Sequence, residues 1–366
     1  MTRLLSTAVL CAVGCTGQNV IGTNFVLSNG VSLMSGTATN QQTTLSGSCT
    51  VEPDVGRISC DGLTIRLNTP GVWQGIGWEL RAPVAASCTG SSVPAPKIAV
   101  FSFGSLLIAP NTTVKSPTQT AVALIAADTV TIRGAIFATP PPSPGLAGAS
   151  LPPYGVSPGQ WVTTSPWTEG AGGAGGATAG AAGGNNGAQG GDAVPAQFDP
   201  MCGGSSGGAV GTYSVDDMGG GGGSVSAVQG NGGGALLVAA GNRIEFDGSA
   251  GGMCGVVADG SEGGSNPTGP GAGGGSGGVV LVESPTVKFD GSCGGLYARG
   301  GRGGTSNFGN GPPGGAGGGS APPAVGADGN LGGRGGGAGG FIRVRAKACP
   351  AGYGTSAPTP TCIPLT

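Results

Sequence analysis

The chain alternates between short apolar strings and long runs of glycine. Apolar strings such as GALLVAAGNRIEFDG (234–248), GVVLVESPTVKFDG (278–291) and GGFIRVRA (339–346) are separated by glycine-rich sequence, and 83 of the 366 residues are glycine. The longer strings contain an aliphatic run, a turn of small or polar residues, and a stretch in which apolar and polar residues alternate. Alternation with a period of two indicates half-buried β-strands. The pattern therefore predicts an all-β protein built from repeats.

The repeat has the layout of a β-solenoid. Strings of this kind begin at Ser105, Ala121, Ala235 and Val279, and a single strand is predicted from Phe341. One such pair of strands cannot bury its apolar face alone, whereas stacked copies bury a continuous core. We therefore predict a right-handed parallel β-solenoid over residues 97–347. Matching inward positions are expected for Val130/Ile132, Ile244/Phe246 and Val287/Phe289.

The glycine-rich insertions between the strings allow two interpretations. Segments such as GAGGAGGA (170–177) and GNNGAQGG (184–191) place glycine at every third position in places. A polyproline II helix has three residues per turn, so this spacing leaves one face bare and lets backbones approach closely. Flexible linkers are the alternative. We favour ordered, hydrogen-bonded packing, because long flexible loops in an exported protein would be cut readily by proteases.

The N-terminus has the features of an export signal. Residues 1–14 (MTRLLSTAVLCAVG) combine a basic Arg3 with a short apolar stretch. Ala12, Val13 and Gly14 precede Cys15 in a sequence that resembles a bacterial lipobox, which predicts acylation of Cys15 and attachment to a membrane through an N-terminal lipid. The expected location is the outer membrane or cell surface. A plain secretory signal, giving a secreted or periplasmic protein, is the alternative.

The cysteines predict a disulfide framework in the exported protein. Without Cys11 and the acylated Cys15, eight of the ten cysteines remain, and an even number favours four disulfides. Short spacing predicts one pair that closes a turn and one that pins a C-terminal tail over 348–366. These pairs are Cys49 with Cys60 and Cys349 with Cys362. The sequence leaves open the pairing of Cys88, Cys202, Cys254 and Cys293.

Composition argues against most enzyme classes and against nucleic-acid binding. Charged residues make up 9% of the chain, the formal net charge is −2, and there is no histidine. Histidine is the commonest general base and the partner of serine and cysteine nucleophiles. A chain without basic clusters has no electrostatic footprint for nucleic acid. We therefore predict no catalytic residues, no cofactor-binding residues and no nucleic-acid partner.

Two aspartates are the residues of this chain to which metal binding or catalysis can be assigned as a hypothesis. Asp247 and Asp290 occupy equivalent positions in two repeats, and each is followed by Gly-Ser. Turn formation is one interpretation. A Ca²⁺ site formed by the two stacked aspartates is the second, since Ca²⁺ binds several oxygen ligands. The third interpretation is acid–base catalysis on a polysaccharide, which requires both carboxylates to lie close to an arginine such as Arg243.

The N-terminal region is less regular than the repeats. Residues 15–96 contain shorter alternating strings, which predict either a small β domain or the first coils of the solenoid. Trp73 and Trp78 lie close together in GVWQGIGW. Such a pair belongs either to a hydrophobic core or to a binding surface.

The strings GGGALLVAAGNRIEFDGSAGG, GPGAGGGSGGVVLVESPTVKFDGSCGG and GGRGGGAGGFIRVRA carry a family resemblance. Over residues 97–347 the chain resembles predicted glycine-rich exported lipoproteins of myxobacteria and similar Gram-negative bacteria, and this resemblance implies no particular activity. We expect a non-catalytic cell-surface lipoprotein with a structural or adhesive role, contacting surface polysaccharide or other cells. A carbohydrate-binding or polysaccharide-degrading β-helix protein is the alternative.

The lipobox interpretation predicts the effect of one substitution. Cys15→Ser removes the thiol that would be acylated, so the variant is expected to move from the membrane fraction to the soluble fraction. Fractionation and immunoblotting of cells that produce either form measure this shift. Equal partitioning of the two forms would favour the plain secretory signal.

Overall fold

The structure is a computed structural model, and the residues that it describes form several ranges. The segment 1–19, which includes Cys15, and Cys293 lie outside them. The described residues are 20–21, 25–27, 31–83, 85–88, 94–116, 120–138, 173–183, 189–195, 198, 201–205, 207, 231–249, 251, 254–264, 272–290, 294–304 and 335–365.

The prediction of an all-β protein is confirmed. The described residues form twenty-two β-strands and one short 3-10 turn over Pro53–Val55, with no α-helix among them. The strands are β1 Val20–Ile21, β2 Phe25–Val26, β3 Gln42–Leu45, β4 Ser48–Glu52, β5 Arg57–Cys60, β6 Leu63–Arg66, β7 Gly71–Trp73, β8 Ile76–Arg81, β9 Ile98–Phe103, β10 Ser105–Ile108, β11 Thr113–Lys115, β12 Ala121–Ala126, β13 Thr129–Ile132, β14 Ala135–Phe137, β15 Ala235–Ala240, β16 Arg243–Phe246, β17 Gly255–Val257, β18 Val279–Glu283, β19 Thr286–Phe289, β20 Gly295–Tyr297, β21 Phe341–Ala346 and β22 Thr361–Pro364.

Three sheets are built from a repeated path of the chain. Sheet I contains β9, β12, β15, β18 and β21 side by side, sheet II contains β10, β13, β16 and β19, and sheet III contains β11, β14, β17 and β20. Neighbouring strands of successive repeats pair in parallel. The chain therefore passes from sheet I to sheet II to sheet III in each of four units, β9–β11, β12–β14, β15–β17 and β18–β20.

The expectation of two strands in each repeat was wrong, because each unit has a third strand in sheet III. These strands, β11, β14, β17 and β20, are only three residues long. Three residues are too few to reveal an alternating pattern, and β17 and β20 begin with a glycine, which is rare in strands. The short third strand is therefore a structural feature that sequence periodicity could not detect.

The core lies between the three sheets, at the inward positions that the sequence predicted. Val130, Ile132, Ile244 and Phe246 are all fully buried. Phe246 and Phe289 are paired in register, and their rings stack at 4.4 Å with an interplanar angle of 3°. Stacking of equivalent side chains along the repeat axis gives each unit the same interior, so each unit packs directly on the next.

The N-terminal region extends the same sheets. β3 and β4 pair in parallel with β10 and β11, and they continue sheets II and III. β5 and β6 then add to sheet III, and β7 and β8 add to sheet I, through antiparallel pairs. Sheets II and III therefore contain strands from both sides of residue 96, and β3 and β4 continue the sheets of the repeats.

The middle of sheet I, strands β9, β12, β15 and β18, is buried on both faces. Its strands β9, β12 and β15 are buried at every position, which explains why ALLVAA (235–240) is continuously apolar rather than alternating. One face contributes to the core, and the other packs against Leu27, Val31, Phe198 and Met201. Arg343 lies over the ring of Phe198, with 3.8 Å from its guanidinium carbon to the ring centroid.

The C-terminal tail packs along the last unit. β22 pairs in parallel with β21, and Tyr353 packs edge-on against Phe289 at a centroid distance of 5.7 Å. Isolated bridges join Gly295 to Gly354 and Tyr297 to Ala357. Together with the Cys349–Cys362 disulfide, these contacts hold the tail against sheets I and III.

The described glycine-rich segments join sheet III of one unit to sheet I of the next. Segment 258–264 follows β17, and segment 272–278 precedes β18. The two run antiparallel, because Gly278, Gly275 and Ala272 donate backbone hydrogen bonds to Ala258, Ser261 and Gly264 at 2.7, 3.1 and 3.0 Å. Every third residue donates to the same neighbour, which is the periodicity of a polyproline II helix.

Segment 272–278 is surrounded by glycine-rich segments on all sides. Its backbone is hydrogen-bonded to six other segments among the described residues, and together they form a laterally packed group that we call the glycine bundle. The six neighbours, with one bond each, are 173–183 (Ala174 to Gly274, 3.0 Å), 201–205 (Ser276 to Ser205, 2.9 Å), 231–234 (Gly233 to Ser276, 2.9 Å), 258–264 (Gly275 to Ser261, 3.1 Å), 298–304 (Gly301 to Gly275, 2.8 Å) and 335–340 (Gly274 to Gly335, 3.1 Å).

Close approach of the backbones explains why these segments are glycine. A Cβ atom at Gly277 would lie closer than 3.0 Å to the carbonyl of Ala298 and to the amide of Gly340. Equivalent conflicts with backbone atoms occur at Gly274, Gly301 and Gly337. The described glycine-rich segments are thus packed elements of the fold, and residues 184–188 of the predicted GNNGAQGG segment lie outside the described part of the chain.

The bundle predicts different responses to the same substitution at two glycines. Gly277→Ala introduces a Cβ that must push backbones apart, so we expect a loss of about 2 kcal/mol or more in unfolding free energy, as for overpacked cores. Gly352 has nothing within 4 Å of an added Cβ, so Gly352→Ala is the matched control and should be neutral or slightly stabilising. Urea unfolding of the disulfide-intact variants measures both changes. Equal stability of the two variants would contradict close packing at Gly277.

Candidate functional site

Asp247 forms a turn and an ion pair. Its carboxylate accepts a hydrogen bond from the Ser249 amide at 2.9 Å and another from Arg133 Nε at 2.8 Å. Hydrogen bonds from the Ser249 side chain and backbone, with a smaller contribution from Arg133, hold the pKa of Asp247 below its ordinary value despite some desolvation. A carboxylate that accepts the amide two residues later forms an Asx-turn. The turn interpretation therefore describes Asp247.

Asp290 and Arg243, the other two residues that the acid–base hypothesis requires, make different contacts. The Asp290 amide donates to the Phe246 carbonyl at 2.8 Å, so Asp290 does occupy the position equivalent to Asp247 in the next unit. Arg243 pairs with Glu245 on its own strand at 3.5 Å, whereas Asp247 pairs with Arg133. Within the described residues, no three acidic or cysteine side chains form a group that could hold a metal ion. A Ca²⁺ site at Asp247 and Asp290 stays a prediction.

The two tryptophans have different environments. Trp78 is only 4% exposed and donates its indole Nε1–H to the Pro53 carbonyl at 3.2 Å. Trp73 lies on the edge strand β7 and is 47% exposed. Trp78 therefore belongs to the core, whereas Trp73 exposes about half of its surface to solvent.

Disulfides join the repeats to their surroundings. The predicted pairs Cys49–Cys60 and Cys349–Cys362 are confirmed, and Cys88 pairs with Cys202 across 114 residues of sequence. Cys254 is also disulfide-bonded. Because disulfides persist in oxidising compartments, this framework indicates an extracytoplasmic protein. Among the residues that the structure describes, no helix is long and apolar enough to cross a membrane.

A buried charge on sheet I was not detected from sequence. Glu283 is fully buried at the end of β18, next to its in-register neighbour Arg345, whose Nη1 lies 3.4 Å from the carboxylate. A buried carboxylate requires such a partner. The apolar run VVLVE gave no sign that its last residue would be enclosed.

A cleft of about 540 Å³ opens where sheets I and II meet at the first two units. Hydroxyl and amide side chains dominate its lining, together with one carboxylate and two apolar side chains. The polar lining residues are Thr39, Asn40, Gln42, Ser105 and Asp128, and the apolar ones are Leu33 and Ala127. This volume is within the range of small-molecule sites, about 300–1,000 Å³.

Strand register brings the cleft residues together. Gln42 and Ser105 begin β3 and β10, and they face each other in the parallel pair. Asp128 lies in the turn from β12 to β13, where its amide donates to the Gly104 carbonyl at 2.9 Å. Asn242, in the equivalent turn of the next unit, donates its side-chain amide to the Asp128 carboxylate at 3.1 Å. The two turns have the equivalent sequences AAD (126–128) and AGN (240–242). Their similarity is the only feature of the sequence that points to this site.

The comparisons with known proteins add no relative. No protein-family model matches the chain, and no curated protein or solved structure matches it.

Lowering the pH should remove the contribution of Asp247 to stability. Because its folded pKa lies below the ordinary 3.8, its carboxylate stabilises the fold above that value and ceases to do so as the pH falls through the lowered pKa. Asp247→Asn should therefore destabilise the protein at neutral pH, and the difference from the parent should shrink towards about pH 3. Urea midpoints at both pH values measure this difference, and a difference independent of pH would contradict the assignment.

The same variant tests the Ca²⁺ hypothesis. Melting temperatures with Ca²⁺ or with chelator are compared for the parent, Asp247→Asn and Asp290→Asn. A rise with Ca²⁺ in the parent that both substitutions remove would support a metal site, since binding to the folded state raises stability. No rise in the parent would leave turn formation as the role of Asp247.

Proposed function

We propose that this protein is a non-catalytic surface protein with a structural or adhesive role outside the cytoplasm. The observation that supports this role best is the glycine bundle, in which one segment is hydrogen-bonded to six others. A bundle held mainly by backbone hydrogen bonds, and continuous with disulfide-linked sheets, resists local unfolding and proteolysis. Such rigidity suits a surface protein that is exposed to proteases outside the cytoplasm.

We infer that the four units are successive coils of a right-handed parallel β-solenoid. Parallel pairing of equivalent strands in all three sheets supports this arrangement. The handedness follows from the general rule that crossovers between parallel strands of one sheet are right-handed. On this arrangement the glycine bundle projects from one corner, between sheets III and I.

Anchoring by an acylated Cys15 and placement at the outer membrane complete the proposal. The lipobox-like sequence and the resemblance to glycine-rich exported lipoproteins support them. The disulfide framework is compatible with this location. The second candidate function, carbohydrate binding, is supported by the polar cleft between sheets I and II.

The adhesive role is tested with immobilised protein. Beads carrying the purified, disulfide-intact protein are incubated with intact Gram-negative cells and with isolated envelope polysaccharide, and retention is measured after washing. Beads carrying the same protein unfolded by heat and thiol are the control. We expect retention by the folded protein only. No retention of cells or polysaccharide by the folded protein would contradict adhesion.

A further inference from the structure

The polar cleft continues into an exposed face of sheet II. Side chains that point outward from this sheet are polar on nearly every strand, because the inward positions alternate with them. Thr129, Arg243 and Thr286 lie in register on consecutive strands, and Thr131, Glu245 and Lys288 form a second row beside them. The first row leads away from Gln42 and Ser105 in the cleft, and the second is polar except at Leu107, which lies between Thr44 and Thr131.

The distance between successive side chains within each row suits an extended chain of sugar rings. Neighbouring strands of a sheet are about 4.7–4.9 Å apart. This distance is close to the length that one pyranose ring contributes to an extended glycan. A polysaccharide lying across the strands would therefore place about one sugar over each strand.

The chemistry of the cleft suits an uncharged sugar. Hydroxyl and amide side chains both donate and accept hydrogen bonds, as sugar hydroxyls require. The contacts among Thr39, Asn40, Gln42 and Thr44 are long, at 3.5 Å, so they are weak and can be exchanged for bonds to a ligand. Leu33 supplies an apolar wall for the C–H face of a ring. Asp128, the charged side chain of this lining, would repel an anionic glycan.

We propose that the cleft and the outward face of sheet II bind an extended, neutral polysaccharide, with its terminal sugars in the cleft and its chain across the strands. This inference rests on the proposed adhesive role and identifies the ligand class of that role. Glu245 lies between Arg243 and Lys288 on the outer part of the face, and Asp128 in the cleft carries a second negative charge. These two positive and two negative side chains give the surface no net charge that would favour a charged chain.

Blocking the cleft is the direct test. Binding of neutral hexasaccharides (cello-, malto-, manno-, xylo- and N-acetylchito-) is measured by titration calorimetry with the disulfide-intact protein. Ser105→Trp fills the cleft, and Thr113→Trp is the matched control, because Thr113 begins β11 on the outward face of sheet III. We expect the parent and Thr113→Trp to bind at least one hexasaccharide equally, and Ser105→Trp to bind at least about tenfold more weakly.

A second substitution tests the path across the strands. Thr131→Trp obstructs sheet II outside the cleft, so it should weaken binding of the hexasaccharide while leaving binding of the corresponding disaccharide unchanged. If Ser105→Trp does not fold, as judged by its melting temperature, Thr39→Trp at an exposed position of the cleft wall replaces it. Equal weakening of the hexasaccharide and the disaccharide by Thr131→Trp would contradict a chain lying across the strands.

Several results would overturn the ligand assignment. These are failure of the parent to bind any of the neutral hexasaccharides, unchanged binding by Ser105→Trp or Thr39→Trp, and tighter binding of polygalacturonate than of every neutral glycan. The bead assay separates the two proposals. A parent that retains cells yet fails these titrations loses the ligand assignment and keeps the adhesive role, whereas a parent that retains nothing loses the adhesive role itself.

Discussion

Backbone hydrogen bonding at close range is the constraint on which the structure depends. Segment 272–278 uses its amides and carbonyls in bonds to six neighbouring described segments. The backbones approach so closely that a Cβ atom at Gly274, Gly277 or Gly278 would clash with a neighbouring backbone. A buried peptide group must find a partner, and here the partners come from other glycine-rich segments rather than from a helix or a sheet ladder. The high glycine content is therefore required by the close packing of these backbones.

This constraint links the bundle to the sheets. Each excursion leaves sheet III and returns to sheet I, and the bond from the Val279 amide to the Gly234 carbonyl at 3.0 Å passes directly into the pairing of β15 with β18. Register in the bundle and register in sheet I are thus continuous. A shift in one would displace the other.

The sequence predicted the parts of the fold that repeat and missed those that depend on distant contacts. The inward positions of Ile244 and Phe246, and the pairing of Cys49 with Cys60, followed from local alternation and spacing. The third strand of each unit was too short to recognise, and the Cys88–Cys202 pair joins residues 114 positions apart. The cleft combines residues near 40, 105 and 128, so no local pattern marks it. The two tryptophans looked equivalent, yet only Trp78 finds an acceptor in the core.

Amide hydrogen exchange across 272–279 tests the central claim most directly. If the bundle is packed, the amides of Gly274, Gly275, Ser276 and Gly277 are hydrogen-bonded and shielded, and they should exchange as slowly as those of the neighbouring strand β18. Mass spectrometry of peptides covering this segment, with peptides from 350–353 as an exposed reference in the same protein, gives both rates. Exchange of 272–279 as fast as in an unstructured peptide would contradict the packed bundle.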